Sequence, residues 1–193
     1  MSDIVARWQA ANGTWLEMRP MRPLRPSEQS VLMAWFNNLS PHTRRNRFFA
    51  PVTEFSDAAV HHLVDVDAQH EYLLAVVRYE NDHAVPIGGG RFVHEENEGD
   101  GASCSFSLLI GDEWQGQGIG RRILKALLRE ASRRGLRKMR GDVLADNRPM
   151  LKLARSLRFE VIDRQDGVVH IVRNVPRAAS ARWRRLVQRL LRK

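Results

Sequence analysis

One cysteine, Cys104, stands in 193 residues, so no disulfide can form within the chain and a disulfide-stapled fold is excluded. Long apolar runs are missing too. Tyr72 to Val77 and Phe106 to Ile110 are the longest nearly apolar stretches, far short of the about 20 residues that a membrane-spanning helix needs. The opening residues, MSDIVARWQAANG, contain no apolar core of signal-peptide length, and a reduced, cytoplasmic protein is the expectation. Hydrophobic residues at 43% and charged residues at 27% match ordinary globular domains and exclude wholesale disorder. A chain of this length suits one domain plus a short tail.

Acidic residues are absent from the last stretch of the chain. The formal charge of +9 comes from 31 Lys and Arg against 22 Asp and Glu. Seven of the basic residues, Arg177, Arg182, Arg184, Arg185, Arg189, Arg192 and Lys193, follow Pro176 with no acid among them, leaving +2 for residues 1–176. A basic surface suited to nucleic acid is therefore not implied for the body of the chain. Within the tail, Trp183, Leu186, Val187, Leu190 and Leu191 recur at spacings of three and four, which predicts a basic amphipathic helix over residues 176–193. Such a helix packs on its own domain or on a second subunit, or docks on an anionic membrane, RNA or an acidic partner. The spacing does not choose among these.

The body of the chain mixes periods. A strand from Thr14 to Arg19 follows an N-terminal extension of residues 1–13, and Pro20, Pro23 and Pro26 make a stiff connector. Ser27 leads into a helix with Val31, Leu32, Trp35, Phe36 and Leu39 at helical spacing, and Ser40-Pro41 starts a second short helix. A third begins at Ser56 with Ala59, Val60, Leu63 and Val64 inward. Tyr72 to Tyr79 and Ile87 to Val93 read as a hairpin about Asn81-Asp82, and Ala102 to Ile110 as the next strand. A helical stripe, Ile119, Ile123, Leu124, Leu127 and Leu128, runs to Gly135. Met139 to Leu144 is a strand, Pro149 to Leu157 a helix, and Phe159 to Asp163 with Val168 to Val172 a closing strand pair. The fold class expected is a mixed α/β (α+β) domain with a largely antiparallel central sheet flanked by helices, over residues 14–175.

Between strand and helix the chain reads Trp114-Gln115-Gly116-Gln117-Gly118-Ile119-Gly120-Arg121-Arg122. Glycines there let backbone N–H groups converge, and the positive end of the following helix attracts an anion, so the loop is a candidate phosphate site. It lacks the Lys-Ser/Thr ending of a nucleoside-triphosphate loop, and no acidic residue follows in the context of a dinucleotide site.

Gln115-x-x-Gly118-x-Gly120 resembles the signature of the GCN5-related N-acetyltransferases (GNAT), and Asn147-x-x-Met150 with Leu153-Ala154-x-x-Leu157-Arg158-Phe159 resembles that family's later Asn-led helix. The segments Met18 to Pro23, Leu39 to Phe49 and Trp114 to Asn147 are similar to the acetyltransferase domain of bacterial protein lysine acetyltransferases. The resemblance implies a GNAT fold and a direct transfer of an acetyl group from acetyl-CoA, bound as cosubstrate without a metal, to an amine, above all a protein lysine. A small-molecule amine acceptor and a non-catalytic acyl-CoA-binding module are the alternatives it leaves. It further implies that Gln115, Gly116, Gln117, Gly118, Ile119, Gly120 and Arg121 hold the pyrophosphate. Leu108, Leu109 and Ile110 would run beside the pantetheine arm, with an N–H near Leu108 or Leu109 polarising the thioester oxygen. Asn147, with Met150, would hold the arm.

Three residues depart from the family pattern. Ser105 stands at the position of the relatives' glutamate, and a hydroxyl is a poor general base. Glu95, Glu96 and His94 in the preceding turn are the other candidates. Ala154 stands where many relatives have an acidic tyrosine, and Arg158 where they have a glycine.

Other residues read as structural. Cys104 is expected to be a small buried side chain. His61, His62, Asp65, Asp67 and His70 have no zinc-type spacing and are expected as helix-surface polarity. Trp8, Trp15, Trp35 and Phe36 are expected in packing. Gly88-Gly89-Gly90 is expected opposite the Ser105 region, leaving space in the sheet or marking a bulge. Arg44, Arg45 and Arg47 are expected on the acceptor side, as a solvated turn or as a feature that recognises an acidic substrate.

Overall fold

The computed structural model describes residues 4–95 and 102–176. The segment expected as a basic amphipathic helix lies, from Arg177 on, outside the described residues, as does Glu96.

The sheet starts earlier than the sequence pattern suggests. Strand β1 (Ala6–Gln9) pairs with β2 (Trp15–Pro20) from Ala6↔Met18 to Gln9↔Trp15, so residues 6–9 are part of the domain and not of an extension before it. Four residues reading Ala-Arg-Trp-Gln are too few to display a strand period, and Trp8 alone is buried. Trp15, expected in packing, is 53% exposed and lies under the Arg7 guanidinium.

Three helices follow. Helix α1 (Pro26–Asn37) starts where the Glu28 carboxylate accepts the Arg25 N–H at 2.9 Å and pairs with Arg22, and it buries Leu32 and Phe36. Helix α2 (Pro41–Phe48) is capped by Ser40, whose hydroxyl accepts the Thr43 N–H at 3.1 Å, and it stops at Phe49 in the left-handed region. In α3 (Asp57–Val64) Val60 is buried and Leu63 and Val64 partly so, whereas Ala59 faces outward, correcting the expected stripe.

Strands β3 (Glu71–Glu80) and β4 (His83–Glu95) form the expected hairpin about Asn81 and Asp82. Then come β5 (Ser103–Ile110), a 3-10 turn at Asp112–Trp114, α4 (Ile119–Arg133), β6 (Lys138–Leu144), α5 (Arg148–Ser156), β7 (Glu160–Gln165) and β8 (Val168–Asn174). The order across the sheet is β1-β2-β3-β4-β5-β6-β8-β7, antiparallel throughout except between β5 and β6.

Each face has its own core. Against one face α4 buries Ile119, Ile123, Leu124, Leu127 and Ala131, joined by Met18, Leu74, Phe92 and Met139 from the strands. Against the other, α1 and α3 gather Leu32, Phe36, Phe55 and Val60. Removing a large side chain from either cluster costs about 2–5 kcal/mol.

The glycine triplet joins sheet to helix. Gly88, Gly89 and Gly90 oppose Ile110, Leu109 and Leu108, not Ser105. The places of their missing Cβ atoms are occupied, a Cβ at Gly90 lying 2.5 Å from Ile123 Cγ2 and one at Gly89 2.7 Å from the Leu74 carbonyl, while the three glycines line an apolar cavity of about 80 Å³. The bulge of this hairpin falls just before the triplet, where Val76 and Val77 pair with Gly88 and Pro86.

Candidate active site

Strands β5 and β6 pair only from Ser103↔Lys138 to Ser105↔Arg140, and then both continue without pairing to each other. Phe106 sits at this divergence. Its ring packs on Phe159 at 5.2 Å and over Gly141, where a Cβ would stand 2.4 Å from the ring. The result is a crevice of about 560 Å³, floored by the ends of β5 and β6 and walled by α2, the glycine loop and α5.

The backbone of β5 equips this crevice. The Gly111 N–H donates to the Ile87 carbonyl at 2.8 Å, so the alternation of the antiparallel ladder turns Leu109, Ser107 and Ser105 toward β4. The N–H and C=O groups of Phe106, Leu108 and Ile110 therefore face β6; the Ser105↔Arg140 pairing takes up the Phe106 N–H, and beyond it the Phe106 carbonyl and the Leu108 groups have no paired strand among the described residues. An extended amide-bearing ligand can add there as a strand would. The Leu108 N–H points into the crevice, whereas the Leu109 N–H belongs to the pairing with Gly89. The Ile110 carbonyl is already taken by Gln115 Nε2 at 3.1 Å.

At the other end the glycine loop faces open space. Gly116 (φ 74°) and Gly118 (φ 78°) hold left-handed conformations, and a Cβ on either would meet nothing within 4 Å. Gly118 is the N-cap of α4 with no side-chain cap bond, and the helical ladder starts at Arg122, whose N–H donates to the Gly118 carbonyl. The N–H groups of Ile119, Gly120 and Arg121 precede that ladder and are available to an anion.

The side chains of this loop have contacts of their own, apart from the backbone N–H groups expected to meet an anion. Gly120 serves packing: a Cβ there would press on Leu108 and Leu153 at 3.1 and 3.2 Å. Gln117 turns back to the Glu113 carbonyl at 3.0 Å and does not line the crevice. The Arg121 guanidinium donates to Ser156 Oγ at 2.6 Å, while Gln115 donates inward to Thr43 Oγ1 at 2.9 Å.

That Gln115–Thr43 contact leads to a carboxylate the sequence reading did not single out. Asp112 accepts from the Ser40 N–H (2.9 Å), the Ser40 hydroxyl (2.6 Å) and the Thr43 hydroxyl (2.7 Å). Desolvation opposes its charge, but the donors on Ser40 and Thr43 outweigh it and hold the carboxyl below its usual range. Helix α2 is thus tied to the glycine loop across some 70 residues of chain. The Ser40 cap was legible; its distant partner had no local signal.

The remaining candidates sort by face. Ser105 lines the crevice beside Arg140, and Glu95 lines it from the neighbouring strand β4, accepting from Ser103 Oγ at 3.4 Å with Arg140 at 3.7 Å. His94 lies on the opposite face, stacked on His70 at 6.4 Å. Asn147 and Met150 line the crevice, and Asn147 Oδ1 accepts the Met150 N–H at 3.1 Å as the cap of α5. Ala154 is buried and carries no acid. Cys104 is fully buried, and desolvation, with the charge of Glu95 adding, pushes its thiol up to about 12. It is no acyl relay. Asp67 and His70 pair at 2.6 Å, and no group of three or more metal-capable side chains forms among the described residues.

The arginines of α2 separate too. Arg44 donates to the Thr53 carbonyl at 2.7 Å and Arg45 pairs with Asp146 at 2.8 Å. Arg47 is largely buried, with its guanidinium 4.9 Å from the Phe48 ring centre, and it lines the crevice.

Known proteins resemble this chain in sequence and in fold. Residues 20–160 match the model of the acetyltransferase (GNAT) domain. The chain is 31% identical over 139 residues to acetyltransferase PA5475 of Pseudomonas aeruginosa, covering 72% of this chain and 73% of that protein. It is 27% identical over 168 residues to acetyltransferase Pat of Mycolicibacterium smegmatis, covering 87% of this chain and spanning 48% of that longer protein. The crystal structure of the GNAT domain of S. lividans PAT superposes with a TM-score of 0.74 at 23% identity, over 88% of this chain and 96% of that one. With a family model over most of the chain and a relative 31% identical to it, the chain belongs to the GNAT acetyltransferase family as an acetyl-CoA-dependent N-acetyltransferase.

Proposed function

We propose that this N-acetyltransferase acetylates lysine side chains of proteins. The observation that carries the reading is the rim of the crevice on its α2 side, where His42 and Phe49 are exposed, Phe49 at 42%, beside Ser105 and Glu95 below. An exposed phenylalanine at the mouth of a polar crevice suits a polypeptide surface better than a small polar amine, and a lysine side chain is long and thin enough to reach inward.

Gly116, Gly118 and the N–H groups of Ile119, Gly120 and Arg121 hold the pyrophosphate of acetyl-CoA. The β6-facing carbonyls of Phe106 and Leu108 accept hydrogen bonds from the pantetheine amides, and the Leu108 N–H stabilises the oxygen that gains charge as the amine attacks. The incoming lysine is an ammonium and must lose a proton to expose its lone pair. Glu95 takes that proton through a water held by Ser105. Nitrogen bonds to the carbonyl carbon, the carbon–sulfur bond breaks, and the second proton that the nitrogen sheds reaches the leaving sulfur through water, since Ala154 offers no acid.

Thiol release from acetyl-CoA, measured with lysine-bearing proteins and with free polyamines, tests the reading. Protein acetylation should dominate, and Glu95→Gln should lower kcat by about 10²–10⁴-fold, whereas Ser105→Ala should cost less than tenfold. Turnover of polyamines alone would replace the lysine reading by a small-amine one. An unchanged kcat in Glu95→Gln would move the base elsewhere.

A further inference from the structure

Of the three arginines on α2, Arg47 alone has no hydrogen-bond or carboxylate partner among the described residues. Arg44 and Arg45 are held by Thr53 and Asp146. The charge next to Arg47 is another cation, Arg91, which is matched by Glu71. Burial, with Arg91 adding, lowers the Arg47 guanidinium to about 10, which leaves it charged at neutral pH. A desolvated cation without an anion is costly, and an anion that reaches it regains that cost.

The position of Arg47 says which ligand can supply the anion. It stands where the crevice meets a second, apolar cavity of about 80 Å³ under α1 and α3, lined by Leu32, Trp35, Phe36 and Leu63. Both spaces share Ser107, which lies directly opposite Arg91 and two residues along β5 from Ser105. That is about 7 Å of strand, too short for a separate ligand and suitable for a second group on the molecule whose amine is at Ser105.

We infer that Arg47 binds a carboxylate of the acceptor, so that the preferred substrate is a lysine with an acidic residue beside it in the polypeptide. This rests on the lysine reading above. The same cation could in principle serve the carboxylate of a free amino acid or the distal carboxylate of a dicarboxylic acyl thioester, and the test separates these.

The full chain is assayed with acetyl-CoA and blocked lysine peptides that differ only in Glu or Gln next to the lysine. The Glu peptides should be favoured in kcat/KM by about tenfold, Arg47→Gln should bring the ratio to about 1, and Arg47→Lys should retain most of it. If Arg47→Gln does not fold, Arg47→Met, which keeps the apolar stem and lacks the charge, should bring the ratio to about 1 in its place. No preference in the wild type, a preference that survives Arg47→Gln, a preference confined to free amino acids, or a change only in succinyl-CoA against acetyl-CoA use would each overturn the inference. If no peptide is acetylated, the lysine reading fails by itself. Calorimetry of the Glu and Gln peptides in the presence of CoA still decides: tighter Glu binding that disappears in Arg47→Gln supports the anion site, and equal binding removes it.

Discussion

Arg158 follows the last turn of α5 with φ 61°, between the buried Leu157 and Phe159, and its N–H donates to the Arg155 carbonyl. A residue with a Cβ is strained by about 1–2 kcal/mol in this region, where the family resemblance places a glycine. Arg158 also adds a repulsion to the burial that lowers the Arg173 guanidinium. Arg158→Gly should therefore raise stability by up to about 1 kcal/mol, the greater freedom of glycine in the unfolded chain offsetting part of the gain. Thermal unfolding should show a midpoint about 2–4 °C higher, and a lower midpoint would mean that the Arg158 side chain matters more than its backbone. At this scale residue types were readable and their partners were not. Gly118 is needed for its conformation, as the motif implies, whereas Gly120 is needed for a packing contact with Leu108 and Leu153 that no local pattern contains.

Helix α2 has little apolar surface of its own, with Thr43 its only buried residue, and it is positioned by polar contacts. Asp112 supplies them, through Ser40 and Thr43, and Thr43 passes them on to Gln115. Asp112→Asn keeps the shape but removes the charge from three accepted hydrogen bonds. The expected loss is about 1 kcal/mol, discounted because the side chain is exposed. Since the contact joins both walls of the crevice, the same variant should weaken acetyl-CoA binding several-fold, as read by calorimetry. The sign with pH follows from the depressed carboxyl: its contribution is present above the unfolded-state value near 3.8 and is lost as pH falls through the lower folded-state value. Wild type and Asp112→Asn should accordingly converge in stability on acidification, and a constant difference down to low pH would exclude the charge as its source.

For the molecule as a whole, charge and sheet geometry belong to different parts of the chain. Residues 177–193 carry seven of the basic residues and most of the net charge of +9. Deleting them should sharply reduce retention on anionic vesicles and heparin at low salt, with the difference shrinking as salt rises, while acetyl-CoA binding by the crevice is kept. Equal retention of both chains would assign the polyanion affinity to the body. What the sequence determined by itself is everything that depends on near neighbours: the helical stripe of Ile119 to Leu128, the hairpin about Asn81-Asp82, the Ser40 and Asn147 caps and the left-handed glycines of the loop, because period, capping and turn chemistry act over a few residues. Tertiary structure alone decided that the short strand Ala6–Gln9 joins the sheet, that β5 and β6 part after Ser105, and that Glu95 faces the crevice while His94 does not. It likewise decided that Arg47 has no hydrogen-bond or carboxylate partner among the described residues, because register, burial and ion pairing are set by residues that meet only once the sheet has closed.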